Sequence, residues 1–338
     1  MTLTFIILVL FISLCMYIIF AGADFGAGIV EGLFFKKNQN FSKLVKQSLG
    51  PVWEVNHIWL IIMIVILFNA FPEAFYQIMV SLHLPMVLIL VGITFRGFAY
   101  AARFYAPEPT KFPFKRLFNL TSILTPFCLG ITLSGLISGH TIQNPTGIYD
   151  HYIHNWLNLF GLSTGLFCII ICLFTALCFL LTEPNNESFR SSLKQKALQT
   201  SIILILTGGL VFLTGWITPS QFSYRFITHP LSIVCLIASS ISLIYCIKTI
   251  LSIPTTTSLL PKKTIIKLRL STATTIFFII AGCFADTFPN IILFNDGTGL
   301  SLYTLTAPIH ILNILAVCLI IFTILCAPLL YQLFKLFK

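Results

Sequence analysis

The sequence predicts an all-α polytopic membrane protein with nine transmembrane helices, and three observations carry that prediction. Of 338 residues, 57% are hydrophobic and only 9% charged, whereas a soluble domain carries roughly 25% charged residues. So few charges cannot cover a water-facing surface. The apolar residues gather in nine runs, each long enough to cross the hydrocarbon, which takes roughly 20 residues. The Lys and Arg residues cluster in every second connection between those runs, the pattern that sets membrane orientation.

Span 1, about 3–34, contains Asp24 within AGADFGAG. It lacks a charged leading segment, so it is read as a retained helix and not a cleaved signal peptide. Gly22 and Gly26, then Gly28 and Gly32, repeat at the four-residue spacing that lets another helix approach closely. Span 2, about 51–72, opens on GPVWEVNHIWL (Gly50–Leu60), and span 3, about 75–105, carries Arg96 in TFRGFAY. Span 4 covers about 118–139. The longest connection, 140–157, reads HTIQNPTGIYDHYIHNWL, whose aromatic and His content suits an interfacial segment. Spans 5 to 9 fall at about 156–182, 198–217, 229–252, 270–288 and 307–334. A single membrane domain results, grouped as two four-helix bundles (helices 1–4, about 3–139; helices 5–8, about 156–288) and one peripheral helix (about 307–334).

The net charge of +10 is not laid along one helix or in one block, so nucleic acid is not the partner it implies. Lys36, Lys37, Lys43 and Lys46 follow span 1; Lys111, Lys115 and Arg116 follow span 3. Arg190, Lys194 and Lys196 follow span 5, and Lys262, Lys263, Lys267 and Arg269 follow span 7, while Lys335 and Lys338 close the chain. The alternate connections hold only Arg225. This places the N-terminus outside and the C-terminus in the cytoplasm. The ten cysteines all lie in apolar runs with no CxxC pair, so they read as small hydrophobes and not as a disulfide framework or metal site.

Charge inside a bilayer is costly and needs a reason. Asp24, Glu54, Asn56, His57 and Arg96 all fall in the predicted cytoplasmic half of spans 1 to 3. Glu54 and His57, three apart, share a helix face. We expect a cluster of Asp24, Glu54 and His57 with Arg96 as the cation, serving as a packing ion pair, a proton relay, or both. Trp53, like the other tryptophans, reads as an interface anchor. Six of the seven histidines, His140 and His154 among them, fall near predicted outer ends, where an interfacial imidazole is ordinary. His57 is deeper, but Glu54 suffices as its partner, so no haem or metal ligand is expected in this chain.

These motifs occur in the order AGADFGAG, GPVWEVNHIWL, FRG (Phe95–Gly97), FP (Phe288–Pro289) and LSLYTLTAP (Leu300–Pro308). Together they resemble subunit II of the cytochrome bd-type quinol oxidases, end to end. The resemblance implies a heterodimer in the bacterial inner membrane with a similar nine-helix subunit I, which carries the b- and d-type haems and the quinol site. It allows a small accessory subunit and a structural quinone. It implies that the complex oxidises quinol and reduces oxygen to water, with no haem in this chain. The resemblance makes Glu54 part of a cytoplasmic proton route, and Asp24 and Arg96 supports of haem stability; we place His57, Trp53 and Asn56 with them, His57 standing where the family block commonly has a different polar residue. Two family acids are absent, at Ala21 and Ala101. The competing readings are a proton-coupled secondary transporter, which would often carry buried charge in both halves, and an assembly protein without turnover.

Overall fold

The computed structural model describes residues 1–36, 38–105, 111–142, 147–183, 187–218, 220, 222–255 and 260–336. Within its helices, the side chains of 46–55, 104–105, 111–112, 151, 187–188, 327 and 329–336 lie outside the described set. Twelve helices and one hairpin follow in chain order among the described residues: α1 (Thr2–Phe34), α2 (Gln39–Ala70), α3 (Pro72–Ser81), α4 (His83–Tyr105), α5 (Lys111–Ile137), α6 (Ile148–Tyr152), α7 (Leu159–Leu181), α8 (Glu187–Ile217), α9 (Phe222–Thr228), α10 (Pro230–Ser252), α11 (Lys262–Thr287), β1 (Asn290–Leu293), β2 (Gly299–Ser301) and α12 (Ile309–Leu336). Eight of the described helices are long and apolar enough to cross a membrane, and nine spans result if the bent pair α2–α3 is one of them.

Most helices run past the apolar runs that announced them. α2 begins twelve residues before Pro51, α8 starts at Glu187 and α11 at Lys262. Hydropathy marks where a helix meets hydrocarbon, whereas backbone hydrogen bonding continues while Lys and Arg stems reach for water. Asn38 caps α2 by accepting from Phe41 N–H at 3.0 Å, and Asn158 caps α7 from Gly161 N–H at 2.8 Å; each satisfies a donor that the first helical turn leaves open.

Span 3 needs correction. It was expected as one helix over 75–105, but the chain breaks at Leu82, leaving α3 and α4 as separate elements. Pro85 explains the break: it has no N–H for the Ser81 carbonyl, and its ring would strike that group in a continuous helix. Pro72 likewise opens α3 at its first position, and α3 leaves the axis of α2 at 114°. The hairpin β1–β2 is a second addition to an otherwise all-α chain. Thr141, after α5, bridges to Phe294, and Ala307 N–H donates to Ala70 O at 2.9 Å. The hairpin segment thus ties the end of α5 and the end of α2 to the start of α12.

α1 packs on α2, α5 and α7; α7 packs also on α5 and α8; α4 pairs with α5 and α10 with α11. The largest core runs through α1, α7 and their neighbours. Two close approaches make this possible. A Cβ on Gly26 would fall on the Cys172 carbonyl of α7, and one on Gly28 would fall on the Ser122 hydroxyl of α5. Gly26→Val is therefore expected to abolish recovery of folded chain from membranes, since backbone and not a flexible side chain would have to move. Wild-type yield of detergent-extracted, protease-resistant chain in that variant would contradict the packing. The opposite faces stay apolar and exposed, as with Leu231, Val234 and Ile241 of α10 and Ile314, Val317 and Ile324 of α12.

Three basic residues tie helix ends together. Lys194 of α8 donates to Leu251 O at 2.8 Å and Ile253 O at 2.7 Å, closing the end of α10. Arg269 of α11 meets Glu183, after α7, at 2.8 Å, and Lys196 lies 4.8 Å from the Phe34 ring centre. Burial raises the Glu183 carboxyl pKa, and the Arg269 charge opposes that rise.

Candidate functional site

Asp24 of α1 and Arg96 of α4 form a buried ion pair, with side chains 1% and 2% exposed. The guanidinium donates Nη2 to Oδ1 at 2.7 Å and Nε to Oδ2 at 3.3 Å, a two-pronged contact that fixes orientation as well as charge. Nη2 also reaches the Asp24 backbone carbonyl at 2.7 Å. Nη1 donates to Ser122 Oγ on α5, and Ser122 in turn donates to Phe118 O at 2.5 Å. Arg96 is thereby satisfied on three sides without water. Phe118 and Phe25 rings lie 4.1 and 4.8 Å from its carbon centre, so cation–π attraction adds to the pair.

A second rung repeats the first two turns along. Glu31 is seven residues after Asp24 and Arg103 seven after Arg96, about 10 Å along each helix. Glu31 Oε1 accepts from Arg103 Nη2 at 2.9 Å and Ser42 Oγ at 2.5 Å, and lies 3.1 Å from Lys115 Nζ. Lys115 also donates to Ser42 Oγ at 2.8 Å. Phe118 sits between the rungs, with Arg103 4.7 Å from its ring centre. Among the described residues, the upper rung pairs one carboxylate with one cation and the lower rung sets Glu31 against Arg103 and Lys115. Glu31 Oε2 is buried with no hydrogen-bond partner. The ladder couples α1, α4 and α5 and stands where the glycine face of α1 brings its backbone against α5.

Of the expected cluster, the structure joins Asp24 to Arg96. The described partners of that pair are Ser122, Phe25 and Phe118, and His57, partly buried on α2, is not among them. Trp53 and Glu54 lie on α2, but their side chains fall outside the described residues. Asn56 is 1% exposed with Oδ1 unpartnered, and the Trp59 indole N–H is likewise buried without an acceptor. Glu31, Arg103 and Lys115 escaped the sequence reading because they fall at or beyond the ends of apolar runs, where charge is ordinary. For Glu31 and Arg103 the signal was the shared spacing of seven, which places them on the helix faces of the pair already noticed; Lys115 offered none. In the second half, Arg225 meets Asp286 at 3.1 Å and also holds Ile137 O at 2.6 Å.

A haem would need axial donors from the residues present. Among the described residues no three His, Cys, Asp or Glu side chains come together as a metal-binding group. The apolar cavity of about 330 Å³ between α7, α8, α10 and α11 is walled by residues such as Phe167, Phe212, Phe226 and Phe278, with no imidazole or thioether. Cys283 is the one potential axial donor in that lining, and no Lys or Arg stands there to meet haem propionates, so the cavity does not fit a haem.

Comparison with known proteins agrees with the motif order. Residues 1–337 match the family model for cytochrome bd terminal oxidase subunit II. The chain is 21% identical over 228 residues to the cytochrome bd ubiquinol oxidase subunit 2 of Bacillus subtilis, covering 66% of each chain. It is 24% identical over 225 residues to the cytochrome bd-I ubiquinol oxidase subunit 2 of Escherichia coli K12, covering 62% of this chain and 58% of that one. The aligned stretch thus spans about two thirds or less of these relatives' lengths. In the solved bd oxidase of Geobacillus thermodenitrificans, one chain superposes with a TM-score of 0.79 at 21% identity, over 100% of this chain and 99% of the other.

Proposed function

Because this multi-pass membrane chain belongs to the cytochrome bd terminal oxidase subunit II family, we propose that it is the haem-free supporting subunit of a quinol:oxygen oxidoreductase. In that reading two quinols and one oxygen give two quinones and two waters. The b- and d-type haems, which carry the electron transfer, belong to the partner, subunit I. The single observation that carries the reading is the family match over residues 1–337.

This chain's own work is packing and protons. The Asp24–Arg96 and Glu31–Arg103–Lys115 rungs fix α1, α4 and α5 against one another, giving the partner a rigid wall. Glu54 takes protons from the cytoplasmic side toward the oxygen-reducing haem, with the N-terminus outside and the C-terminus in the cytoplasm. Support comes from buried polar atoms without protein partners nearby in sequence, Asn56 Oδ1 and Trp59 Nε1, because such atoms in a membrane interior call for water. The apolar cavity between α7, α8, α10 and α11 suits the isoprenoid part of a structural quinone. A transporter would place buried charge mid-membrane in both halves, whereas Arg225–Asp286 and Arg269–Glu183 sit at helix ends.

Glu54→Gln keeps shape and loses the titrating group. We expect assembled complex with normal haem content and oxygen uptake reduced about 10²-fold or more, the scale of a lost proton-transfer group, with Glu54→Asp retaining part of it. Full quinol-driven uptake in the Gln variant would remove Glu54 from the proton route.

A further inference from the structure

At the end opposite the basic loops, two histidines read from sequence as ordinary interfacial residues come together. His140 follows α5 and His154 follows α6, and their ring centres are 6.2 Å apart at an interplanar angle of 84°. Each has one buried ring nitrogen without a hydrogen-bond partner: Nε2 of His140 and Nδ1 of His154. His140 is only 8% exposed. Unpartnered polar atoms at that depth are rare in folded proteins and call for an occupant.

The backbone around them is built to hold this arrangement. Gly139, at φ +72°, makes the left-handed turn that redirects the chain after α5. Thr141 Oγ1 donates to Gly135 O at 2.9 Å, and Thr141 O accepts from Asn295 N–H at 3.1 Å. Asn155, 1% exposed, joins the two histidine segments directly. Its Oδ1 accepts from Ile142 N–H at 3.2 Å, and its Nδ2 donates to Ser81 O at 3.2 Å. The residue after each histidine is therefore pinned, and Asn155 links the two stretches.

We propose that His140 and His154 form a two-imidazole site for a divalent transition metal ion, of which Zn²⁺ and Cu²⁺ suit the donors best. Imidazole nitrogens favour these ions over the harder Mg²⁺ and Ca²⁺. A metal lies about 2.0–2.1 Å from each nitrogen, which sets the centres of two rings sharing one ion about 5–6 Å apart. The observed 6.2 Å lies just beyond that range, so the rings would close by a few tenths of an ångström on binding. Water completes the coordination. The ion would cross-link the connection between α5 and α7, which the Thr141–Phe294 bridge joins to the hairpin.

The test uses the intact complex, purified without a polyhistidine tag, stripped with chelator and dialysed against Zn²⁺ alone. Wild type is expected to hold one more tightly bound Zn²⁺ per complex than His140→Gln or His154→Gln, and the double variant is expected to lose the same single ion. Haem spectra check that each variant is assembled. His154 is the less buried of the two, so its variant keeps the test available if His140→Gln does not fold. With Cu²⁺ in place of Zn²⁺, the electron paramagnetic resonance spectrum of wild type is expected to show hyperfine splitting from two nitrogens. Equal Zn²⁺ in wild type and His154→Gln, or a Cu²⁺ spectrum without nitrogen splitting, would overturn the site.

Discussion

Arg96→Gln is expected to strip most of the haem-loaded complex from the membrane. The variant leaves Asp24 as a carboxylate 1% exposed, with no cation against it and three guanidinium hydrogen bonds gone. Breaking a buried pair from one side costs about 3–5 kcal/mol, because the remaining charge stays buried and uncompensated. That is a large fraction of the 5–15 kcal/mol by which a typical domain is stable. Asp24→Asn is expected to act in the same direction, leaving the guanidinium unbalanced. The double variant Asp24→Asn, Arg96→Gln should recover part of the yield, since no lone charge remains. The measurement is haem per milligram of extracted membrane protein. Normal assembly with either residue neutralised alone would contradict the pairing.

The second large effect is expected at Glu31. Its carboxylate is fully buried and is the described anion facing both Arg103 and Lys115. Glu31→Gln takes the carboxylate away from Arg103 and Lys115 and weakens two hydrogen bonds and one ion pair at a single oxygen. Lys115 is 18% exposed, so part of its charge is screened, and the expected cost is about 1–3 kcal/mol, smaller than for Arg96. It should appear as a lower midpoint in thermal unfolding of the detergent-solubilised complex, followed by loss of the haem spectrum. Adding Lys115→Met to Glu31→Gln should restore part of that midpoint by removing a cation that has lost this carboxylate. An unchanged midpoint in Glu31→Gln would show that the lower rung carries no stability.

The two rungs also show where sequence reading stops. Asp24 and Arg96 were legible because charge inside an apolar run contradicts its surroundings, so each demanded a partner. Glu31 and Arg103 lie in the same geometric relation, yet they sit close to basic connections where charge raises no question. Only the packing of α1 against α7 through Gly26 and against α5 through Gly28 tells that these ends are buried. Spans were legible for the same reason that their ends were not: hydropathy reports contact with hydrocarbon, and α2, α8 and α11 continue beyond it. The break at Leu82 was marked by Pro85, but an apolar sequence on both sides concealed it. The hairpin β1–β2 is short, and neither strand has enough alternation to announce itself. His140 and His154 are fourteen residues apart, a spacing that no local pattern connects.

In the proposed function this chain acts through packing and protons while its partner carries the electrons. The most direct measurement is the visible spectrum of this polypeptide expressed and purified without subunit I, set beside that of the co-purified pair. The isolated chain is expected to show no Soret band, and the pair to show haem bands and quinol-driven oxygen uptake. A stoichiometric Soret band in the isolated chain that disappears on His57→Ala would contradict the account and make this chain a redox subunit.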